Sequence, residues 1–501
     1  MTSPARRLLL VNPPLVGGIA FTRQGRCQER EDVLGTTKPP YSLVLAASLL
    51  RERGLPFHLV DLTAEQRSTE SLIDELNRSG FRPDIVVFPS TTPTLDADSA
   101  EMAKLKKAFG APLVAFGPHA STAPVESMAH APIVDAMIVG EPEDAIVALA
   151  SQAAFDPGAI SSLTWRRGSE IVANTARGSF SGLATMPYPA WDLLDLRRYR
   201  LPMVGSPYVI VETSRGCPYS CDFCVAPIHQ GHKFRERSPK ELVDEIEKSR
   251  RDLGVEFFYL WGDTVTLNAK TFSAFCEELI ARNLDIRWFG NARADNLTDP
   301  AFVHRLRKSG CWMLAMGIES SSPELRKDMV KRLEEQKIRA AFTNLRDAGI
   351  KSFGFFIFGY PGDTPESMAA TVDYAIELDA DFANFYPAVP YPGTELYEKC
   401  VREGLLVSQD WSRMEYSYYL LRSGGLDEAL VMKAINRAKR RFFLRPAYLA
   451  RHFSDALKIV QTKPGIVLSL MRRILLGQPV AQAVAAAEAP ARASAAASRH
   501  A

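Results

Sequence analysis

Eleven short apolar runs alternate with helical stretches, and no other feature limits the fold of this 501-residue chain so tightly. Five of the runs, at 8–11, 57–60, 84–88, 113–116 and 135–139, are separated by helical patterns such as 41–53 and 96–109. Short runs that are apolar throughout, with helices between them, build a parallel sheet covered on both faces. Six further runs follow at 208–213, 256–261, 286–289, 313–318, 352–358 and 382–386. Six strand–helix units in series predict a (β/α)6 partial barrel, a TIM barrel short of two repeats. Ser238-Pro239-Lys240-Glu241 combines a capping box with proline at the first helical position, so a helix starts there.

The rhythm breaks over 157–207. Runs at 163–166 and 171–174, joined through Arg167-Gly168-Ser169, predict a hairpin, and Met186-Pro-Tyr-Pro-Ala-Trp191 predicts a connector. The expected organisation is an α/β chain: a Rossmann-like doubly wound domain over 1–155 and a hairpin and linker over 156–207. The barrel follows over 208–395, then a helical extension over 396–478. The alanine-rich tail over 479–501 has too few large apolar residues to order itself. No run of eighteen apolar residues predicts a bilayer span, and the stretch at 8–11 is too short for a signal peptide. A net charge of +2 argues against broad nucleic-acid binding, and seven cysteines, an odd number, point to a reducing cytoplasm.

Chemistry-bearing residues collect where strands end. Directly behind 208–213 stands Cys217-Pro-Tyr-Ser-Cys221-Asp-Phe-Cys224, while Cys27, Cys276, Cys311 and Cys400 are scattered. Three thiolates are one short of a closed zinc site, but they suit a four-iron cluster that keeps one iron open. The alternative is a zinc knuckle completed by His229 or His232. Later barrel strands end in Leu260-Trp-Gly-Asp263-Thr264, Asn291-Ala-Arg293, Met316-Gly-Ile-Glu319-Ser320 and Phe358-Gly359-Tyr-Pro361-Gly362-Asp-Thr364. Taken singly these are tight turns and helix caps. Strands of the first domain end in Asn12-Pro-Pro14, Ser90-Thr91-Thr92-Pro-Thr94, Gly117-Pro-His119 and Gly140-Glu141-Pro-Glu143. Small and hydroxylated residues at four strand ends suggest a floor for a large flat ligand.

The pattern C-x-x-x-C-x-aromatic-C, with Phe223 in the aromatic slot, resembles the signature of the radical S-adenosylmethionine (SAM) enzymes. The resemblance implies that Cys217, Cys221 and Cys224 hold three irons of a [4Fe–4S] cluster and that SAM binds the fourth. Reductive cleavage of SAM then gives methionine and a 5′-deoxyadenosyl radical. It also implies SAM contacts from Asp263, Asn291, Arg293, Glu319, Ser320, Gly359, Pro361 and Gly362. The first domain resembles the cobalamin-binding domain that precedes the barrel in one large subgroup. Its implied contacts are Ser90, Thr91, Thr92, Thr94, Gly117, His119, Gly140 and Glu141. The Asp-x-His-x-x-Gly element is replaced by Asn12-Pro-Pro-Leu-Val-Gly17, so no histidine on cobalt is implied. Phe442-Phe-Leu-Arg-Pro446 resembles a stretch found after the barrel in the subgroup of the anaerobic magnesium-protoporphyrin ester cyclase and a hopanoid-tailoring enzyme.

The resemblance implies a cobalamin-dependent radical SAM enzyme that C-methylates an unactivated carbon of a secondary metabolite, lipid or tetrapyrrole. The rivals are a radical cyclisation or rearrangement without methyl transfer, and a non-catalytic tetrapyrrole or iron–sulfur sensor. Expected partners are a small-molecule substrate and a reductant such as flavodoxin or ferredoxin, with no nucleic acid. The apolar stretch 466–476, with its basic pair Arg472-Arg473, reads either as a helix docked on the barrel or as a segment touching the inner membrane face.

Overall fold

The structure is a computed structural model, and it describes residues 5–23, 30, 37–174, 176–201, 204–453 and 457. The first sheet contains β1 (Leu8–Asn12), β2 (Phe57–Asp61), β3 (Ile85–Pro89), β4 (Leu113–Phe116), β5 (Ala136–Ile138), β6 (Leu163–Arg167) and β7 (Glu170–Ala173). Their order is β2-β1-β3-β4-β5-β6-β7, and the first five strands are parallel. Successive residues of β1 serve opposite faces. Leu8 and Leu10 join the core beneath the helix Tyr41–Glu52, whereas Leu9 and Val11 join the core that holds Leu72 and Leu105. That two-sided burial is why the runs are apolar throughout rather than alternating.

The hairpin β6–β7 was expected between the domains. Instead β6 pairs antiparallel with β5 and extends the first sheet. The pairing covers the backbone groups that β5 would otherwise leave at an edge.

The second sheet is a partial barrel of six parallel strands. It starts with β8 (Tyr208–Glu212), which is followed by a short antiparallel pair, β9 (Ser214–Arg215) and β10 (Arg235–Glu236). The remaining strands are β11 (Phe257–Trp261), β12 (Arg287–Ala292), β13 (Cys311–Glu319), β14 (Lys351–Phe358) and β15 (Phe382–Pro387). Their spatial order, β8-β11-β12-β13-β14-β15, follows the chain. The expected α/β class, doubly wound sheet and (β/α)6 barrel are therefore all present. The helix Pro239–Leu253 opens with the expected capping box, Ser238 accepting from the Glu241 amide, and closes on Gly254 in the left-handed region.

Beyond the barrel, the helix Glu428–Phe443 buries Val431, Ile435, Ala438 and Phe442, a stripe at helical spacing, against β15 and the helix Pro365–Glu377. Among the described residues no helix is long and apolar enough to cross a membrane. Cys27, the stretch 466–476 and the tail 479–501 lie outside the described residues.

Candidate active site at the barrel mouth

The cysteine loop is tied to nearly every element around it. At its entrance Gly216 has φ +84, and a Cβ there would stand 2.2 Å from the Lys233 carbonyl oxygen, so only glycine lets the two segments pass. The Cys217 amide donates to the Gly231 carbonyl at 3.1 Å, and the Cys224 amide to that of Cys221 at 3.1 Å. Within the loop, the Tyr219 ring lies 3.7 Å from the Arg293 guanidinium. That guanidinium is itself fixed by Asp295 and by the Lys331 carbonyl, both at 3.1 Å. The Asp222 amide donates to Met329, and its carbonyl accepts from Leu396. Tyr360, from the turn after β14, donates its hydroxyl to the Asp222 carboxylate, which burial pushes up to about 6.

Cys217, Cys221 and Cys224 line one cavity of about 190 Å³ at the C-terminal mouth of the barrel. Asp263, Asn291, Arg293 and Glu319 line the same cavity from the ends of β11, β12 and β13. A register shift between Gly317 and Glu319, with φ +70 at Glu319, marks an irregular end to β13. Glu319 is 3% exposed, and its Oε1 accepts from Lys331 Nζ at 2.7 Å. Its Oε2 is buried without a partner. A Cβ on Gly317 would stand 2.2 Å from that Oε1 and 2.7 Å from the Lys331 nitrogen, so the glycine makes room for the pair. A buried carboxylate oxygen beside an ammonium group, with its neighbour unsatisfied, is an acceptor waiting for a donor. Lys331 escaped the sequence reading because it stands in no motif, and Tyr360 because the motif Gly359-Tyr-Pro361-Gly362 was read for its glycines and proline.

Four expected SAM contacts do not reach this cavity. Ser320 is buried and accepts from the Ser322 amide at 3.2 Å, which shapes the start of the next helix. Gly359, Pro361 and Gly362 form a turn that presents Tyr360 rather than themselves. The Gly359 carbonyl accepts from the Tyr419 hydroxyl at 2.8 Å, and a Cβ on Gly359 would meet that ring at 2.6 Å.

The strand ends of the first domain are filled by their own side chains. Ser90 Oγ donates to Asp98 at 3.1 Å, and the Thr91 and Thr94 hydroxyls bond each other at 2.9 Å. Thr92 bonds His119 Nδ1 at 2.9 Å, and Trp411 from the C-terminal extension packs on the His119 ring with centroids 4.4 Å apart. Burial pushes the His119 pKa down to about 3, so the ring is neutral. A Cβ on Gly117 would lie 2.3 Å from the Ser90 carbonyl oxygen, and one on Gly140 2.5 Å from that of Gly178. The Glu141 carboxylate takes Arg215, Arg235 and the Phe180 amide. Among these eight residues His119 keeps its Nε2 buried without a partner, and the other seven make no open cradle for a flat ligand. Their hydroxyls and carboxylate are spent on protein partners, and their glycines serve close backbone approaches.

Glu141 belongs instead to the junction between the two domains. The Arg215 guanidinium contacts Glu141 at 3.0 Å, Glu143 at 2.8 Å and Glu212 at 2.8 Å, all of them buried. Burial alone would lower the Arg215 pKa, yet the three carboxylates hold it well above the usual arginine value. His229 also faces this junction, with Nδ1 2.9 Å from Ser121 Oγ. Burial lowers its pKa to about 4. His229 lines the junction and not the cavity that holds the thiols, so the zinc alternative loses it. Three thiols that share a cavity with an unsatisfied buried carboxylate oxygen do fit a multi-iron cluster with an open site for a small ligand.

Residues 211–375 match the family profile of the radical SAM superfamily. The chain is 28% identical over 451 residues to an uncharacterized methyltransferase of Pyrococcus horikoshii, covering 89% of this chain and 94% of that one. It is 28% identical over 426 residues to the anaerobic magnesium-protoporphyrin IX monomethyl ester cyclase of Cereibacter sphaeroides, covering 83% of this chain and 68% of that one. Among solved structures, the radical SAM methyltransferase TsrM from Kitasatospora setae, with cobalamin and a [4Fe-4S] cluster bound, shares the fold. Its TM-score is 0.70 at 17% identity, over 92% of this chain and 99% of that one. The family match spans the strands that carry the thiol loop and the Glu319 turn, and residues 211–375 are a radical SAM domain.

Proposed function

We propose that this enzyme is a cobalamin-dependent radical SAM methyltransferase acting on an unactivated carbon of a small molecule. The observation that carries the reading is the sharing of one cavity by Cys217, Cys221, Cys224 and the unpartnered Oε2 of Glu319. The three thiolates would hold the cluster. When bound, the reduced cluster with SAM at its open iron supplies a 5′-deoxyadenosyl radical able to take hydrogen from carbon. Glu319 accepts a hydrogen bond from SAM, and Lys331 Nζ, 2.7 Å from its Oε1, holds that carboxylate in place. Arg293 holds Tyr219, and with it the span between the first two thiols, in place. Phe355, Ile357 and Val389 on the cavity wall exclude water from a radical that would otherwise be quenched.

The cobalamin part rests on the relatives, TsrM above all, and on the first domain's likeness to the subgroup's cofactor domain. No step is assigned to residues of the first sheet, whose strand ends are filled. A reductant of the flavodoxin or ferredoxin class would deliver the electron in a reducing cytoplasm. The cyclase likeness favours a second reading, radical cyclisation without methyl transfer. Anaerobic turnover with SAM and dithionite separates the two. S-adenosylhomocysteine beside 5′-deoxyadenosine supports methylation, 5′-deoxyadenosine alone supports the rival, and no SAM cleavage by cluster-loaded protein refutes both.

A further inference from the structure

The last described helices carry a charge and exposure pattern unrelated to the barrel cavity. Of the chain's 60 Lys and Arg, eleven fall between Val431 and Leu476, against one of its 58 Asp and Glu, so the rest of the molecule is net acidic. On the helix Glu428–Phe443 the face opposite the buried stripe is exposed, and it carries Lys433, Arg437, Arg440 and Arg441 at helical spacing. Leu430 and Leu444 stand exposed at the two ends of that stripe. On the segment that follows, Leu449, Phe453 and Leu457 are exposed at intervals of four residues, with Phe453 69% exposed. These five are half of the ten large apolar side chains exposed among the described residues, so exposed apolar groups are concentrated in this part of the chain. Arg441 and Arg451 reach Asp373 and Asp379, and both arginines remain exposed. Farther along, outside the described residues, the sequence keeps the same character, with Lys458, Lys463, Arg472 and Arg473 set among Ile459, Val460 and the apolar stretch 466–476.

We propose that the exposed face of the helix Glu428–Phe443, together with Leu444, Leu449, Phe453 and Leu457, docks the enzyme on a bilayer rich in acidic phospholipid. A cation stripe alone would suit any polyanion. Nucleic acid would engage the cations and leave the leucines and Phe453 in water, whereas a bilayer interface takes the apolar side chains into the acyl boundary and the cations among headgroup phosphates. The helix Glu428–Phe443 packs against β15, and the helix Pro446–Arg451 packs on it and bonds the Asp381 carbonyl through Tyr448, so this part of the surface is tied to the barrel. Docking there would hold the enzyme where lipid-soluble substrates are concentrated. The proposal does not depend on the methyl-transfer reading.

The test is flotation of the full-length, cluster-loaded protein with vesicles of phosphatidylcholine alone and of phosphatidylcholine with phosphatidylglycerol. Binding at least about tenfold tighter to the acidic vesicles, and weakened by salt, is expected from the basic stripe. Two variants, Leu449→Ser with Phe453→Ser and Lys433→Glu with Arg437→Glu, should each lower that binding by about tenfold or more while SAM cleavage is unchanged. All four side chains are exposed, so neither variant disturbs the core. Absence of binding to acidic vesicles would overturn the proposal. So would full retention of binding by the serine variant, or equal binding to duplex oligonucleotide and to vesicles, since either outcome would leave only a polyanion site.

Discussion

Two rows of strand ends in this molecule look alike in sequence and differ in the structure. At the barrel mouth the ends of β11, β12 and β13 point Asp263, Asn291, Arg293 and Glu319 into a cavity that also holds three thiols. In the first domain the ends of β3, β4 and β5 carry Ser90, Thr91, Thr92, Thr94, His119 and Glu141, all of them buried. Glycine, hydroxyl and carboxylate groups occur in both rows. What separates them is that the hydroxyls and the carboxylate of the first domain's row bond the protein itself, and there only His119 Nε2 is left buried without a partner. Around the cavity Glu319 keeps a buried oxygen without a partner, whereas the threonines bond one another and His119. A polar strand end is a ligand site only where the fold leaves something undone.

The largest effect should come from the thiols. Replacing Cys217, Cys221 and Cys224 together by alanine should abolish cluster iron and SAM cleavage, while Cys276→Ala or Cys400→Ala should leave iron content intact. Full iron loading of the triple variant, measured on anaerobically prepared protein, would remove the contrast between the two rows at its root.

The filled row should show itself in acid. His119 and His229 are neutral in the fold, with pKa values lowered to about 3 and about 4, against roughly 6.5 in the unfolded chain. A lowered pKa means that the unfolded chain binds the protons. Stability from these two rings is therefore complete above pH ~6.5 and is lost as pH falls toward the folded values. Between pH ~6.5 and ~5 each ring should cost on the order of 2 kcal/mol. Thermal unfolding of His119→Gln should be less steeply pH-dependent than that of the parent over this window. An unchanged slope would mean that water reaches the ring.

Glu319→Gln keeps the shape of the side chain but removes its charge. SAM affinity should fall roughly ten- to a hundredfold, about 1.5–3 kcal/mol, with cluster iron unchanged. Equal SAM binding by both proteins in anaerobic titration would give Glu319 a purely structural role. The smallest effect belongs to Thr92→Val, which removes one buried hydrogen bond to His119 and should cost about 1 kcal/mol of stability. Cobalamin uptake should be unaffected if Thr92 serves only the fold, and its loss in this variant would reopen the first row as a ligand surface.

The legible parts of the chain were those whose evidence is local. Mostly apolar runs between helices identified both sheets, because helices packed over a parallel sheet leave few polar residues in its strands. Three cysteines in eight residues identified the cavity, because few local structures have another use for them. The joining of β6 to β5 was not legible, since edge pairing is decided by strands distant in the chain. Lys331 and Trp411 were missed for the same reason: each matters through a contact with a remote side chain, Glu319 in one case and His119 in the other. Hydroxyl-rich strand ends misled because serine and threonine close turns as readily as they bind ligands.

The Arg215 junction bears on how such an enzyme can be taken apart. One guanidinium, two residues ahead of Cys217, is neutralised by Glu212 from its own barrel and by Glu141 and Glu143 from the first domain. A barrel joined to a first domain without these acids would keep the cation buried and lose two of its three counterions, and breaking a buried ion pair in this way typically costs about 3–5 kcal/mol. That penalty would fall at the root of the thiol loop. Shuffling the barrel onto a different N-terminal domain therefore requires a matching pair of acids in the new partner, a constraint on inheritance as much as on engineering.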